Sequence, residues 1–152
     1  MKNIVVDTCT VIHIIKGSPQ GSKCIEAIAQ LDESPNIIIS VATKAELESF
    51  SRTSKWGEDK TKKLTVFLNS ATVININAAD KKLLDAYVQI DGYSKRKLTD
   101  KAGQLLPDSA KKMGKNDLWI AATAHVIEAP LITTDGDFDH LHEKLLTVIK
   151  IV

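Results

Sequence analysis

The chain has 152 residues, 43% hydrophobic and 26% charged, which is the composition of a globular protein with room for one real core, since a domain of about 150 residues buries roughly 70% of its unfolded surface. A formal net charge of +1 singles out no class of partner, and no apolar run approaches the ~20 residues that a membrane-spanning helix requires. Cys9 and Cys24 have no CxxC or zinc-ligand spacing, so they read as small core residues rather than as a disulfide scaffold or a zinc site.

In chain order, the opening MKNIVVDT carries one lysine and too few aliphatic residues for a secretion signal, so a cytoplasmic location is expected. Residues 4–6 form the first predicted strand, directly followed by Asp7 and by a helical pattern over 10–15. Ser18-Pro19 reads as an N-cap with proline at the first helical position, opening a helix over 19–32. A strand at 37–39 precedes a helix at 41–51 that carries Glu46, and a further helix spans 58–69. A third strand at 72–74 leads to Asn77, read as the cap of a helix over 79–90. Residues 91–115 mix glycine, proline and lysine and read as an ordered excursion. Asn116 is expected to cap the helix over 116–127 that begins at Asp117, and Pro130 stops it before a strand at 131–133. A final strand is expected at 147–149. Each short aliphatic run suits a strand buried on both faces, and strands alternating with helices predict an α/β fold: a central parallel sheet flanked by helices, in one domain over 1–152.

A buried carboxylate is costly unless it is paired, hydrogen-bonded or metal-bound. Asp7 ends the first strand and Asp135 with Asp137 follows the fourth, which is the edge where open parallel sheets bind ligands. Glu46 and Asp117 reach the same crevice if the crossovers have their usual right hand. Such an all-oxygen set suits magnesium or manganese, which can activate water and stabilise charge on an attacked phosphate. Each acid also has an ordinary reading: Asp7 as a helix cap, Glu46 as the partner of Thr43 in a capping box, Asp117 as a dipole-favoured first-turn acid, and Asp135, Asp137 and Asp139 as a turn around Gly136. Four acids from four separated segments at one edge argue for a common site.

Two basic stretches accompany these acids. Lys95, Arg96, Lys97, Lys101, Lys111, Lys112 and Lys115 lead into Asp117, and Arg52, Lys55, Lys60, Lys62 and Lys63 surround Trp56. Lysines beside such a site can contact phosphates, and Trp56 and Tyr93 can stack on unpaired bases; the alternative is a solvated lysine-rich face with Trp56 as a packing or partner-binding residue. His125, His140 and His142 receive no role.

The segments VVDTCTVI, ATKAELESF, KNDLWIAATAH and LITTDGDFDHL, in this order and spacing, make the chain resemble the PIN-domain ribonucleases, and most closely the VapC-like toxins of toxin–antitoxin pairs. The resemblance implies a catalytic site of Asp7, Glu46, Asp117 and Asp135 holding Mg2+ or Mn2+, with Asp137 replacing or assisting Asp135, and with Thr8, Asn116 and Thr134 in support. It also implies endonucleolytic cleavage of structured RNA, often tRNA, leaving a 5′-phosphate. A homodimer and a cognate antitoxin whose tail occupies the groove are further implications. Residues 50–63 and 91–115 are longer than the shortest toxins need and read as substrate-facing elaborations. Two other functions use the same residues: a catalytically inactive PIN-fold RNA-binding or scaffold protein, and a different phosphoryl-transfer enzyme such as a phosphoacceptor domain or a DNA nuclease. The presence of all four acids argues against the inactive protein.

Overall fold

The computed structural model describes residues 2–152. Five strands, β1 (Asn3–Val6), β2 (Asn36–Ser40), β3 (Thr72–Ile74), β4 (Leu131–Thr133) and β5 (Val148–Lys150), form one sheet in the order β3-β2-β1-β4-β5, every pairing parallel. The strands lie close to the predicted runs, the last displaced by one residue. Their alternation divides the core in two. Val5, Ile38 and Leu131 point into one cluster, and Ile4, Val6, Ile39 and Ile132 into the other. With both faces buried, Ile4, Val5 and Val6 of β1 can all be aliphatic, and the strand occupies the centre of the sheet.

Helices α1 (Thr8–Lys16), α2 (Pro19–Leu31), α3 (Val41–Thr53) and α4 (Glu58–Ser70) alternate with the first strands, and α5 (Lys81–Ser94) and α6 (Lys115–Ile127) lie between β3 and β4. Residues from α1, α2, α3 and α4 complete one core cluster, and residues from α5 and α6 complete the other. A 3-10 turn over Gly136–Leu141 follows β4, anchored by the buried Phe138 and Leu141. Ser18 caps α2 as expected, accepting from the Gly21 amide, with Pro19 at the helix start.

Several boundaries differ from expectation. Asn77 does not cap α5: it makes a local turn to the Ala79 amide, and Asp80 caps the helix by accepting from Leu83. Asn116 does not cap α6, which begins at Lys115 after Gly114 with no side-chain cap. The α5 helix runs four residues beyond the predicted end because Tyr93 and Ser94 are buried and extend its apolar face. Cys24 is a core residue, but Cys9 is exposed.

The α1–α2 packing leaves no room at Gly21, where an added Cβ would stand 2.2 Å from the His13 carbonyl oxygen. Backbone cannot yield as a flexible side chain does, so Gly21→Ala should cost about 1–3 kcal/mol, the range for overpacking. Urea denaturation should show a lower midpoint with unchanged slope, and an unchanged midpoint would mean that the two helices separate freely.

Candidate functional site

The sequence order Val-Val-Asp places a carboxylate one residue past the central strand, and the chain turns directly into a helix there. Asp7 is both the N-cap of α1 and part of the acidic site: its Oδ1 accepts from the Thr10 amide at 3.0 Å and from the Thr10 hydroxyl at 2.6 Å. The ordinary reading of Asp7 as a helix cap is therefore seen directly, and the cap stands beside Glu46 and Asp117 on one cleft. Its Oδ2 accepts from the Thr133 hydroxyl at 2.6 Å. Only 2% of Asp7 is exposed. Burial raises its pKa, opposed by the hydrogen bonds from Thr10 and Thr133, and the nearby Asp135 raises it further.

Glu46 is not the partner of Thr43 in a capping box. Ser40 caps α3 by accepting from the Ala42 amide, so Thr43 lies inside the helix and is buried. Glu46 sits one turn further along the same face and accepts from the Thr8 hydroxyl at 2.7 Å. Thr8 thus links the start of α1 to the acid on α3, which gives the expected supporting threonine a concrete contact.

Asp117 lies in the first turn of α6, with Asp135 and Asp137 opposite. Each of these three offers a carboxylate oxygen within 4.8 Å of the others. The Asp135 carboxylate caps the 3-10 turn by accepting from the Asp137 amide at 2.9 Å, and the Asp135 amide donates to Thr133. Asp137 therefore stands beside Asp135, and both offer a carboxylate oxygen to the same cluster as Asp117. Desolvation pushes the Asp117 pKa up to about 6, followed by repulsion from Asp135, Asp137, Asp7 and Glu46. Among the described residues no lysine, arginine or histidine forms an ion pair with any of these five acids.

Such a concentration of like charge, with no ion-pairing cation among the described residues, fits a divalent cation. The donors are all carboxylate oxygens, as hard cations such as magnesium and manganese prefer. The neighbouring Cys9 thiol is pushed up to about 11 by desolvation and then by the surrounding carboxylates. It is neutral near pH 7 and a poor ligand for a hard ion.

Beside the acids opens a cleft of about 580 Å³, whose lining includes Asp7, Glu46 and Asp117 together with the apolar Ile12, Ala45 and Phe50. Lys111 and Lys112 border a smaller recess with Asp137 and Asp139, and Lys115 and Asn116 border another with Glu46 and Asp117. Lys95 pairs with Asp91 at 2.9 Å, the Arg96 Nε donates to the Leu106 carbonyl at 2.7 Å, and Lys97 is exposed. Trp56 is half-buried, packing edge-on against Phe50 at 5.6 Å between ring centres. Tyr93 is fully buried and offers no face to a base, which corrects the expectation that it could stack. His140, His125 and His142 bond to Ser94, the Leu145 carbonyl and the Val148 amide respectively.

Two hydroxyls that hold Asp7 do not stand out in the sequence. Thr134, the expected supporting residue, forms none of the described side-chain bonds to the acids, whereas Thr133 reaches both Asp7 and the Asp135 amide. The register contains the reason: Val6 pairs with Ile132, so the next position of β4 lies beside Asp7. Thr10 is inconspicuous because an apolar stretch surrounds it, although three residues after a cap is where a cap's hydrogen bond lands.

Residues 4–144 match the PIN domain family, and the chain belongs to it. Among solved structures, a chain of the Rickettsia felis VapBC2 complex, bound to a DNA fragment from its promoter, is 23% identical with a TM-score of 0.71, covering 99% of both chains. A chain of VapBC-1 from nontypeable Haemophilus influenzae is 23% identical with a TM-score of 0.69 over 97% of both. VapBC-5 from Mycobacterium tuberculosis, described as a member of a toxin–antitoxin family, gives 23% identity and a TM-score of 0.62, covering 99% of this chain and 100% of the other. At these identities the likeness establishes the fold. A search of curated proteins gave no match.

Proposed function

We propose that the protein is a divalent-metal-dependent endoribonuclease, the toxin of a toxin–antitoxin pair, acting in the cytoplasm as a homodimer on structured RNA such as tRNA. One observation supports this reading: the acid after β1 and those on α3 and α6 line one cleft, and the α6 acid lies close to two more from the turn after β4, with no ion-pairing cation among the described residues. Asp7, Glu46, Asp117 and Asp135, assisted by Asp137, would hold Mg2+ or Mn2+. When bound, the cation would activate a water and offset charge on the attacked phosphodiester.

The protein groups divide the remaining work. The buried Asp7 carboxylate is closed to bulk water on its side of the site, whereas Asp117 is only partly covered. Thr8 fixes Glu46. Lys111, Lys112 and Lys115 border the acids and would contact phosphates flanking the scissile bond, while the apolar lining of the cleft, Ile12, Ala45 and Phe50, suits a segment of the antitoxin. Replacing Lys111 and Lys112 together by alanine should weaken RNA binding and flatten its dependence on salt by about 1 logarithmic unit per lost phosphate contact. Filter binding across a salt series measures this, and an unchanged slope would remove the two lysines from the interface.

The test of function is the mapping of RNA ends after brief induction in cells. New ends carrying a 5′-phosphate at a defined site in one tRNA are expected. No new RNA ends, or cleavage of DNA in preference to RNA by the purified protein, would reject the reading.

A further inference from the structure

Asp7 is the acid most completely occupied by other protein groups. Its Oδ1 already accepts two hydrogen bonds, from the Thr10 amide and the Thr10 hydroxyl, and its Oδ2 accepts one from Thr133. A carboxylate oxygen has two lone pairs, so Oδ1 is saturated and Oδ2 retains one. The proton directions are constrained as well. Thr133 has a single hydroxyl proton, and because its oxygen accepts from the Asp135 amide at 2.9 Å, that proton is the one given to Asp7. The Thr10 hydroxyl is fully buried, and its single proton goes to Asp7 Oδ1 at 2.6 Å, the shorter of its two contacts, rather than to the Ile132 carbonyl at 3.1 Å.

Resting on the proposed cation site, we propose that Thr10 is a positioning residue: with Thr133 it locks the Asp7 carboxylate in one orientation and limits it to a single metal-ligating oxygen, Oδ2. The Thr10 amide alone would leave Oδ1 a free lone pair and the carboxylate a rotation about its last bond. The added hydroxyl removes both. The remaining coordination positions are thereby left to Glu46, Asp117, Asp135, solvent and substrate, which matters for magnesium because it keeps several waters in near-octahedral geometry. Partners that orient a ligating side chain are typically worth 10–100-fold in metal affinity or activity.

The experiment compares the full-length protein with Thr10→Val, which keeps the shape and removes the hydroxyl, and Thr10→Ser, which restores it. Thr10→Ala serves in place of the valine variant should branching disturb the packing. Manganese affinity is measured by calorimetry without RNA, together with kcat and KM for RNA cleavage. Thr10→Val should bind Mn2+ about 10-fold more weakly and lower kcat at nearly unchanged KM, with Thr10→Ser close to the native protein in both. Native Mn2+ affinity and kcat in Thr10→Val, with or without a loss of thermal stability, would overturn the positioning role, as would a serine variant no better than valine. If the native protein itself takes up no Mn2+, the cation site falls and this role falls with it; if the native protein binds and only the variant comparison fails, the cation site stands.

Discussion

Asp117→Asn is expected to abolish cleavage and, at the same time, to stabilise the metal-free protein. The loss of activity follows from removing one of the carboxylates proposed to hold the cation. If the missing charge withdraws about 3–4 kcal/mol of transition-state stabilisation, the rate falls by roughly 10²–10³. The gain in stability follows from the opposite side of the same electrostatics. Desolvation, then the four neighbouring acids, raise the Asp117 pKa from 3.8 to about 6. A carboxyl whose folded pKa lies above its unfolded one contributes stability fully below the unfolded value, and that contribution is lost as pH rises through the folded value. The metal-free native protein therefore loses stability between about pH 4 and pH 6, and Asp117→Asn does not suffer this loss. Two pKa units correspond nominally to about 3 kcal/mol, but Asp117 is partly open to solvent and screening reduces this to about 1 kcal/mol. The variant should melt about 2–4 °C higher than the native protein at pH 7, with no advantage near pH 4. Adding Mn2+ should reverse the order at pH 7. A variant that is less stable than native metal-free protein at pH 7 would mean that the acids do not repel one another as described.

Phe138→Ala should destabilise the fold more than any substitution at the acids. Phe138 is fully buried within the 3-10 turn that carries Asp135 at its start and Asp137 in its first residues. Truncating a buried phenylalanine costs about 3–5 kcal/mol through lost transfer energy and the cavity left behind. The damage should not remain in the core, because the turn presents two of the acids. Chemical denaturation should show the loss of stability, and Mn2+ affinity measured well below the unfolding transition should fall as well. Phe138→Leu, which fills much of the volume, should retain most of both. Native stability in Phe138→Ala would show that the turn is held by its hydrogen bonds alone.

The five strands are legible in the chain because each is centred on a short aliphatic or β-branched run, which is buried on both faces in the central strands and partly exposed in the edge strands β3 and β5. Helix starts are harder, since several residues can each serve as a cap and tertiary position chooses among them. Thr43 and Glu46 have the spacing of a capping box, yet Ser40, which ends β2, takes the cap and leaves Glu46 free to face Thr8. At the acids, local spacing reveals which carboxylates lie near strand ends but not how they are held. Thr133 and Thr134 are indistinguishable in sequence, and the pairing of β4 with β1 is what sends Thr133 to Asp7. Tyr93 fails as a stacking residue for the converse reason: its stretch reads as polar and irregular, while the extended α5 turns that side chain inward.

Cleavage of RNA by the purified protein, with Mg2+, with a chelator and after Mg2+ is restored, tests the metal site most directly when set beside Asp7→Asn and Asp117→Asn proteins shown to be folded. Cleavage that disappears with the chelator, returns with the metal and is absent from both variants is the expected result. Undiminished cleavage in the chelator, or by both variants, would contradict it.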